Sequence, residues 1–187
     1  MKVLAVMGSP RIGGNTDVLI DEALRGARDA GAFAEKIIVD ELEISPCAEF
    51  NGCTLDGNCV IRDDMDDIYE SLDEADALII GSPIFFYGLP AQLKALVDRC
   101  QVFWARKYIL KQEPAKQGRK GAFIAVGATK GSNLFEGAKL TVKCLFDAMG
   151  VDYAEELFIR SVEQKGEVKK HPTAMKDAYE LGKRIAK

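Results

Sequence analysis

Apolar and polar positions along the chain fall into alternating strand-like and helix-like runs. Lys2–Met7 is a short apolar run that stops at Gly8. Asn15–Ala30 follows with apolar residues at Val18, Leu19, Ala23 and Leu24, a helical period. Phe33–Val39 reads as a strand. Asp63–Asp76 is rich in acids, yet Met65, Ile68, Tyr69 and Leu72 fall at i, i+3, i+4 and i+7. That is one stripe of an amphipathic helix, with Asp63 or Asp64 as its N-cap. Ala77–Ile80 is a strand running into Gly81-Ser82-Pro83, and Pro90–Trp104 a helix with Pro90 in its first turn. Gly121–Val126 is a strand ending at Gly127, Asn133–Met149 a helix stopped by Gly150, and Tyr153–Ile159 a fifth strand. Thr173–Ile185 closes the chain as a helix. This α/β alternation predicts a doubly wound five-stranded parallel sheet of order 2-1-3-4-5, with helices on both faces.

Two segments interrupt the alternation. The polar stretch at about 41–61 holds three cysteines. The stretch at about 106–120 carries Arg106, Lys107, Lys111, Lys116, Arg119 and Lys120 against Glu113 alone. It reads first as a solvated basic loop and second as an attractor for the phosphates of a ligand. The 187 residues suit one domain, 1–187. With 48% hydrophobic and 29% charged residues, the chain has the composition of a folded globular protein. No apolar run approaches the ~18 residues of a membrane span. The start, MKVLAVMGSP, lacks the longer apolar region and cleavage site of a signal peptide, so a cytoplasmic location and no membrane partner are expected. A net charge of −4 carries no basic footprint for nucleic acid. The single histidine, His171, excludes chemistry that needs two and argues against a Ser-His-Asp triad. Five cysteines at irregular spacing argue against a disulfide framework.

Three loops at the ends of strands carry candidate chemistry. Gly8-Ser9-Pro10-Arg11-Ile12-Gly13-Gly14-Asn15-Thr16 joins the first strand to the first helix, where unpaired N–H groups and the helix dipole favour a phosphate. Ser9, Asn15 and Thr16 can add donors and Arg11 a charged fork. The loop is neither GxGxxG nor GK[ST], so one terminal phosphate suits it better than a pyrophosphate or triphosphate. Gly81-Ser82-Pro83-Ile84-Phe85-Phe86-Tyr87-Gly88-Leu89-Pro90 lies at another strand end, and its three consecutive aromatics would pack on a flat ring or a partner subunit. Gly127-Ala128-Thr129-Lys130-Gly131-Ser132 is a third loop on the same rim. Together they suit a ligand with a phosphate end and a planar end.

GSPRIGGNT followed by GSPIFFYGLPAQLKALVDR resembles the NADPH-dependent FMN reductase family of the flavodoxin-like superfamily, and within it the iron–sulfur flavoproteins, over nearly the whole chain. The resemblance implies that Ser9, Arg11, Asn15 and Thr16 hold the FMN phosphate. It also implies that Pro83, Ile84, Phe85, Phe86, Tyr87 and Gly88 contact the ribityl chain and isoalloxazine, and that Gly127, Ala128 and Thr129 close the other side of the ring. Chemistry would then sit at flavin N5, with NAD(P)H as donor and a flavin, quinone or redox protein as acceptor, and no catalytic side chain. An electron carrier exchanging electrons with ferredoxin is the alternative, and a flavin-sensing module a third. A homodimer or homotetramer is implied as well.

The cysteine segment departs from the subfamily. Iron–sulfur flavoproteins resemble C-x2-C-x2-C-x5-C here, whereas this chain has Cys47, Phe50, Cys53 and Cys59. Three readings follow. The cluster is lost and ordinary thiols remain; or a cluster persists on three thiolates, or with Glu49, Asn51 or Asp56 as a further ligand; or the three cysteines hold zinc. Cys100 and Cys144 lie in helical patterns and read as buried small hydrophobes.

Overall fold

Val3 to Met7 are all buried, as expected of a strand covered on both faces, and in the computed structural model, which describes residues 1–187, they form an inner strand of one parallel sheet. The strands are β1 (Lys2–Met7), β2 (Phe33–Ile38), β3 (Ala77–Pro83), β4 (Arg119–Gly127) and β5 (Val151–Arg160), in the order β2-β1-β3-β4-β5. The flavodoxin-like order read from the sequence is the one observed. Helices α1 (Asn15–Asp29), α2 (Cys53–Asp56), α3 (Met65–Glu74), α4 (Ala91–Arg99), α5 (Gln101–Trp104), α6 (Glu136–Met149) and α7 (Ala174–Ile185) connect and cover the strands.

The two-residue period of the strands divides the core in two. Val3, Ala5, Met7, Ile79, Ala122 and Ile124 pack with α1 and α7. Leu4, Val6, Leu78, Ile80, Phe123 and Ala125 pack with α3 to α6 on the other face. The stripe Met65, Ile68, Tyr69 and Leu72 is the buried face of α3. α1 and α7 cross where two glycines let backbones touch: a methyl on Gly26 would meet the Tyr179 carbonyl, and one on Gly182 the Ala23 carbonyl.

Several sequence expectations change. The helix after Pro90 bends at Cys100 and runs past Trp104 into a π turn, Ala105–Ile109. Arg119 already belongs to β4, so the basic loop is shorter than 106–120. Four of its six cations are bound internally. Arg106 donates to Gly57 O at 2.8 Å and to Asp73 at 3.0 Å, Lys107 pairs with Asp147 at 3.0 Å, and Lys116 with Asp76 at 2.6 Å. Arg119 donates to Leu72 O and Met149 O, capping the ends of both α3 and α6. These partners lie at the start of β4, the end of the sheet away from the rim loops. Residues 133–135 precede α6 rather than begin it. Cys100 is buried, and burial pushes its thiol up to about 12. Cys144, by contrast, is exposed, because α6 carries apolar residues on its outer face too, Leu140 among them.

Candidate functional site

The loops that follow β1, β3, β4 and β5 meet at the carboxyl end of the sheet, beside the point where strand order reverses. They line a cavity of about 190 Å³ formed by Ser9, Arg11, Gly14, Asn15, Thr16, Pro83, Ile84, Phe85, Val126, Ala128, Val162 and Glu163. That is smaller than the ~300 Å³ of a site that encloses a whole ligand. It suits the narrow end of a ligand, with a flat end lying across the rim.

Its floor is the start of α1. Gly14 is the N-cap in extended conformation, and no side chain caps the helix. The N–H groups of Asn15, Thr16 and Asp17 find no acceptor in the protein. Thr16 is buried, and its hydroxyl likewise makes no hydrogen bond within the chain. Three amides and a hydroxyl at the positive end of a helix form an anion cradle. The loop feeding it is held by short bonds: Arg11 N–H donates to Ser9 Oγ at 3.2 Å, Gly14 N–H to Arg11 O at 2.9 Å, and Gly13 N–H to Asp17 Oδ2 at 2.7 Å. Gly13 has φ +70°, which its lack of a side chain permits. Asp17 carries a negative charge near the cradle, offset by Lys36 at 2.7 Å from its other oxygen.

Arg11 is exposed at the mouth, with Nη1 3.5 Å from Glu163 O. Asn15 departs from its expected role. Its Nδ2 donates to Gln164 O at 3.0 Å and its Oδ1 accepts from Val168 N–H at 3.1 Å, so only its main-chain N–H remains for a phosphate.

The aromatic loop is a tight hairpin. Phe85 N–H donates to Gly88 O at 3.0 Å and Gly88 N–H to Phe85 O at 2.9 Å. Phe86 and Tyr87, between them, both have left-handed backbones, φ +48° and +63°, a conformation that favours Gly or Asn. The turn holds Phe86 fully exposed and Phe85 and Tyr87 half out. Ile84 N–H donates to Val126 O at 2.9 Å, and the N–H groups of Phe86, Tyr87 and Leu89 are left unpaired in this loop. Tyr87 is braced from β4's side, its hydroxyl 2.9 Å from where a Gly131 side chain would begin. In the third loop Gly127 O accepts from Val162 N–H at 3.4 Å, Ala128 lines the cavity, and Thr129 is exposed beside it. Arg160 ties that loop down through Gly131 O and Ser132 O while lying 4.9 Å over the Phe135 ring.

Sequence reasoning missed Val162, Glu163, Asp17 and Arg160. An acid three places after the N-cap was a readable signal for Asp17. The residues after β5 carry no local signal at all, since only the folded chain brings them to the cavity.

The cysteine segment is pinned by carboxylates. Asp64 Oδ2 accepts from Glu43 N–H at 2.7 Å. Asp63 accepts from Ser45 N–H at 2.9 Å, from Met65 N–H at 3.1 Å and from Arg99 Nη1 at 2.6 Å. The two acids therefore clamp this segment, and the α3 start is held by Asp63 rather than by a cap at Asp64. Burial pushes the Asp63 pKa up, but the Arg99 guanidinium and the two amides outweigh it and hold the carboxyl below its ordinary range. Arg99 is 1% exposed and also donates to Ser45 O and Ile61 O. Cys47, Cys53 and Cys59 gather on this segment, and burial together with the other two thiols pushes the Cys53 thiol up. Phe50, at the second position of the expected motif, is 68% exposed. No group of three or more Cys, His, Asp and Glu is arranged to hold a metal ion. The donor set thus does not fit a cluster that takes four thiolates.

The model of one protein family, NADPH-dependent FMN reductase, matches residues 1–148. The chain is 39% identical to an iron–sulfur flavoprotein of Methanocaldococcus jannaschii over 130 residues, 70% of this chain and 64% of that one. It is 33% identical to an iron–sulfur flavoprotein of Methanosarcina thermophila over 151 residues, 81% and 74%. The match to the first relative thus spans just under two thirds of that protein's length. Among solved structures, the NAD(P)H:quinone oxidoreductase of Methanothermobacter marburgensis superposes with TM-score 0.72 at 16% identity, covering 100% of this chain and 98% of that one. That likeness concerns the fold.

Proposed function

The chain belongs to the NADPH-dependent FMN reductase family, and from that premise we infer that it is an FMN-binding oxidoreductase that takes hydride from NAD(P)H and passes electrons to a flavin, quinone or other acceptor. The observation that carries this reading is one cavity with an unpaired row of amides at Asn15–Asp17 on its floor and an aromatic hairpin at its rim. When bound, FMN supplies hydride acceptance at N5 and onward release of electrons. The protein's part is placement. The amides of α1, the Thr16 hydroxyl, Ser9 and Arg11 hold the phosphate. Pro83 to Phe85 and Ala128 flank the sugar chain. Phe85 to Tyr87 present apolar surface to the ring, and the N–H groups of Phe86 and Tyr87 are among the donors free to meet its heteroatoms.

A second reading, an electron carrier served by ferredoxin with NAD(P)H playing no direct part, draws on the iron–sulfur flavoprotein relatives and the three gathered cysteines. Anoxic stopped-flow mixing separates the two. Rapid bleaching of the flavin by NADPH or NADH is the result expected; bleaching only by a reduced ferredoxin assigns the carrier role. Colourless protein that takes up no FMN would end both readings. A cytoplasmic location and a homodimer or homotetramer belong to the same proposal, the latter checked by sedimentation.

A further inference from the structure

The cysteine segment is a loop closed at its base. Buried Arg99 donates to Ser45 O at 2.9 Å on one arm and to Ile61 O at 3.2 Å on the other. Further out the arms touch, since a side-chain carbon on Gly52 would meet Val60 Cγ1 at 2.3 Å. The Cα atoms of these two residues are thus no more than about 6.5 Å apart, within the ~4.4–6.8 Å that a disulfide spans. One residue in from that contact, on each arm, stands a cysteine, Cys53 and Cys59. Both are half-buried and pack against the core between the sheet and α3 to α6. The turn joining them is fixed. Gly57, with φ +80°, donates to Cys53 O at 3.0 Å, and Asn58 N–H donates to Asp56 Oδ1 at 2.9 Å.

Both thiols are open to small solutes. Cys59 lines a cleft of about 510 Å³ with Asn58, Arg62 and Tyr69. Cys53 lines a depression of about 370 Å³ with Cys47, Asp98 and Gln101. Between Cys47 and Cys53 the backbones of Glu49 and Asn51 are left-handed, φ +52° and +59°, and Phe50 is turned out. Cys53 stands six positions from Cys47 and six from Cys59. Chain length alone therefore favours neither partner. The fold does. Burial pushes the Cys53 thiol up, and after it Cys59 does so more than Cys47, as the nearer sulfur would.

We propose that Cys53 and Cys59 are a redox-active pair, a dithiol when reduced and a disulfide when oxidised by a hydroperoxide, in the segment where the four-cysteine pattern is interrupted by Phe50. The pair does not depend on the flavin reading. With hydrogen peroxide, the Cys59 thiolate, on the larger cleft, attacks one oxygen and the O–O bond breaks. The released hydroxide takes up a proton and leaves as water, and Cys59 becomes a sulfenic acid. The Cys53 thiolate then attacks that sulfur, the S–S bond forms, and a second water leaves. The two thiols together give up two electrons and two protons, and the peroxide takes both. A small dithiol reverses the step by two thiol–disulfide exchanges. Cys47 stays a free thiol.

The test is oxidation of the full chain, its thiols first reduced, by hydrogen peroxide. Free thiols are then blocked with iodoacetamide, and the chain is cut before Asp56, which puts Cys53 and Cys59 on different peptides for mass spectrometry. Folded protein should give the Cys53–Cys59 link at least about tenfold over a Cys47–Cys53 link, and in urea the two should form in comparable yield. Dithiothreitol should restore both thiols. Cys47→Ser should leave the link intact, and Cys53→Ser should stop at a sulfenic acid on Cys59 that dimedone traps. A folded chain that forms no link, or that pairs Cys47 as readily as urea-unfolded chain does, overturns the proposal. So does anoxic loading with iron and sulfide that builds a cluster on these three thiols. The readout is mass alone, so it stands whether or not the protein takes up FMN.

Discussion

At the scale of single residues, a few buried charges hold segments that the sheet does not. Arg99 joins α4 to the cysteine segment through Asp63 and two carbonyls. Arg99→Met should therefore cost about 3–5 kcal/mol in urea unfolding, because it strands the Asp63 carboxylate. The pair also makes stability depend on acid. Its folded carboxyl titrates below the unfolded value of about 3.9, so its contribution is full above that value and is lost as pH falls through the lowered one. Urea midpoints of wild type and Asp63→Asn should converge on acidification; a gap that stays constant refutes the assignment. Arg11 is exposed, so the phosphate contact proposed for it would be screened, and Arg11→Ala should weaken FMN by about tenfold in a fluorescence titration of flavin-free protein. Alkylation with iodoacetamide should reach Cys144 well before Cys100, whose buried thiol is held protonated.

At the scale of elements, the site depends on a helix crossing and a strained turn. Backbones of α1 and α7 touch at Gly26 and Gly182, with no flexible side chain there to yield. Gly182→Ala must push the helices apart and should cost about 1–3 kcal/mol, read as about 2–4 °C of Tm per kcal/mol. The hairpin after β3 behaves in the opposite sense. Phe86 buries nothing yet sits in a left-handed conformation, so Phe86→Asn should raise stability by about 0.5–1 kcal/mol while lowering FMN affinity. A variant with unchanged stability and unchanged affinity would remove the turn from the site.

At the scale of the whole molecule, bound FMN should stabilise the fold by mass action, by about 2.7 kcal/mol at a hundred times its Kd, with riboflavin giving less. A thermal melt with each ligand checks this. The architecture was legible because the strands are short continuous apolar runs that end in glycine-containing turns, while the helices carry apolar stripes with a period near 3.6, as at Met65, Ile68, Tyr69 and Leu72. The rim loops were legible as strand-to-helix turns. What escaped depended on contacts between distant positions. Neither the segment after β5 nor its bonds to Asn15 has a local pattern, and Cys144 was misplaced because an apolar residue every fourth position can line either side of α6. The side-chain bonds of Asn15 have one more consequence. Asn15 meets residues 149 and 153 positions further along the chain. A nascent polypeptide that has emerged through α6 already carries the cradle and both other rim loops, yet cannot close them. On that account the pocket is completed only after β5 has been made. The cofactor is then a guest admitted after folding rather than a nucleus for it.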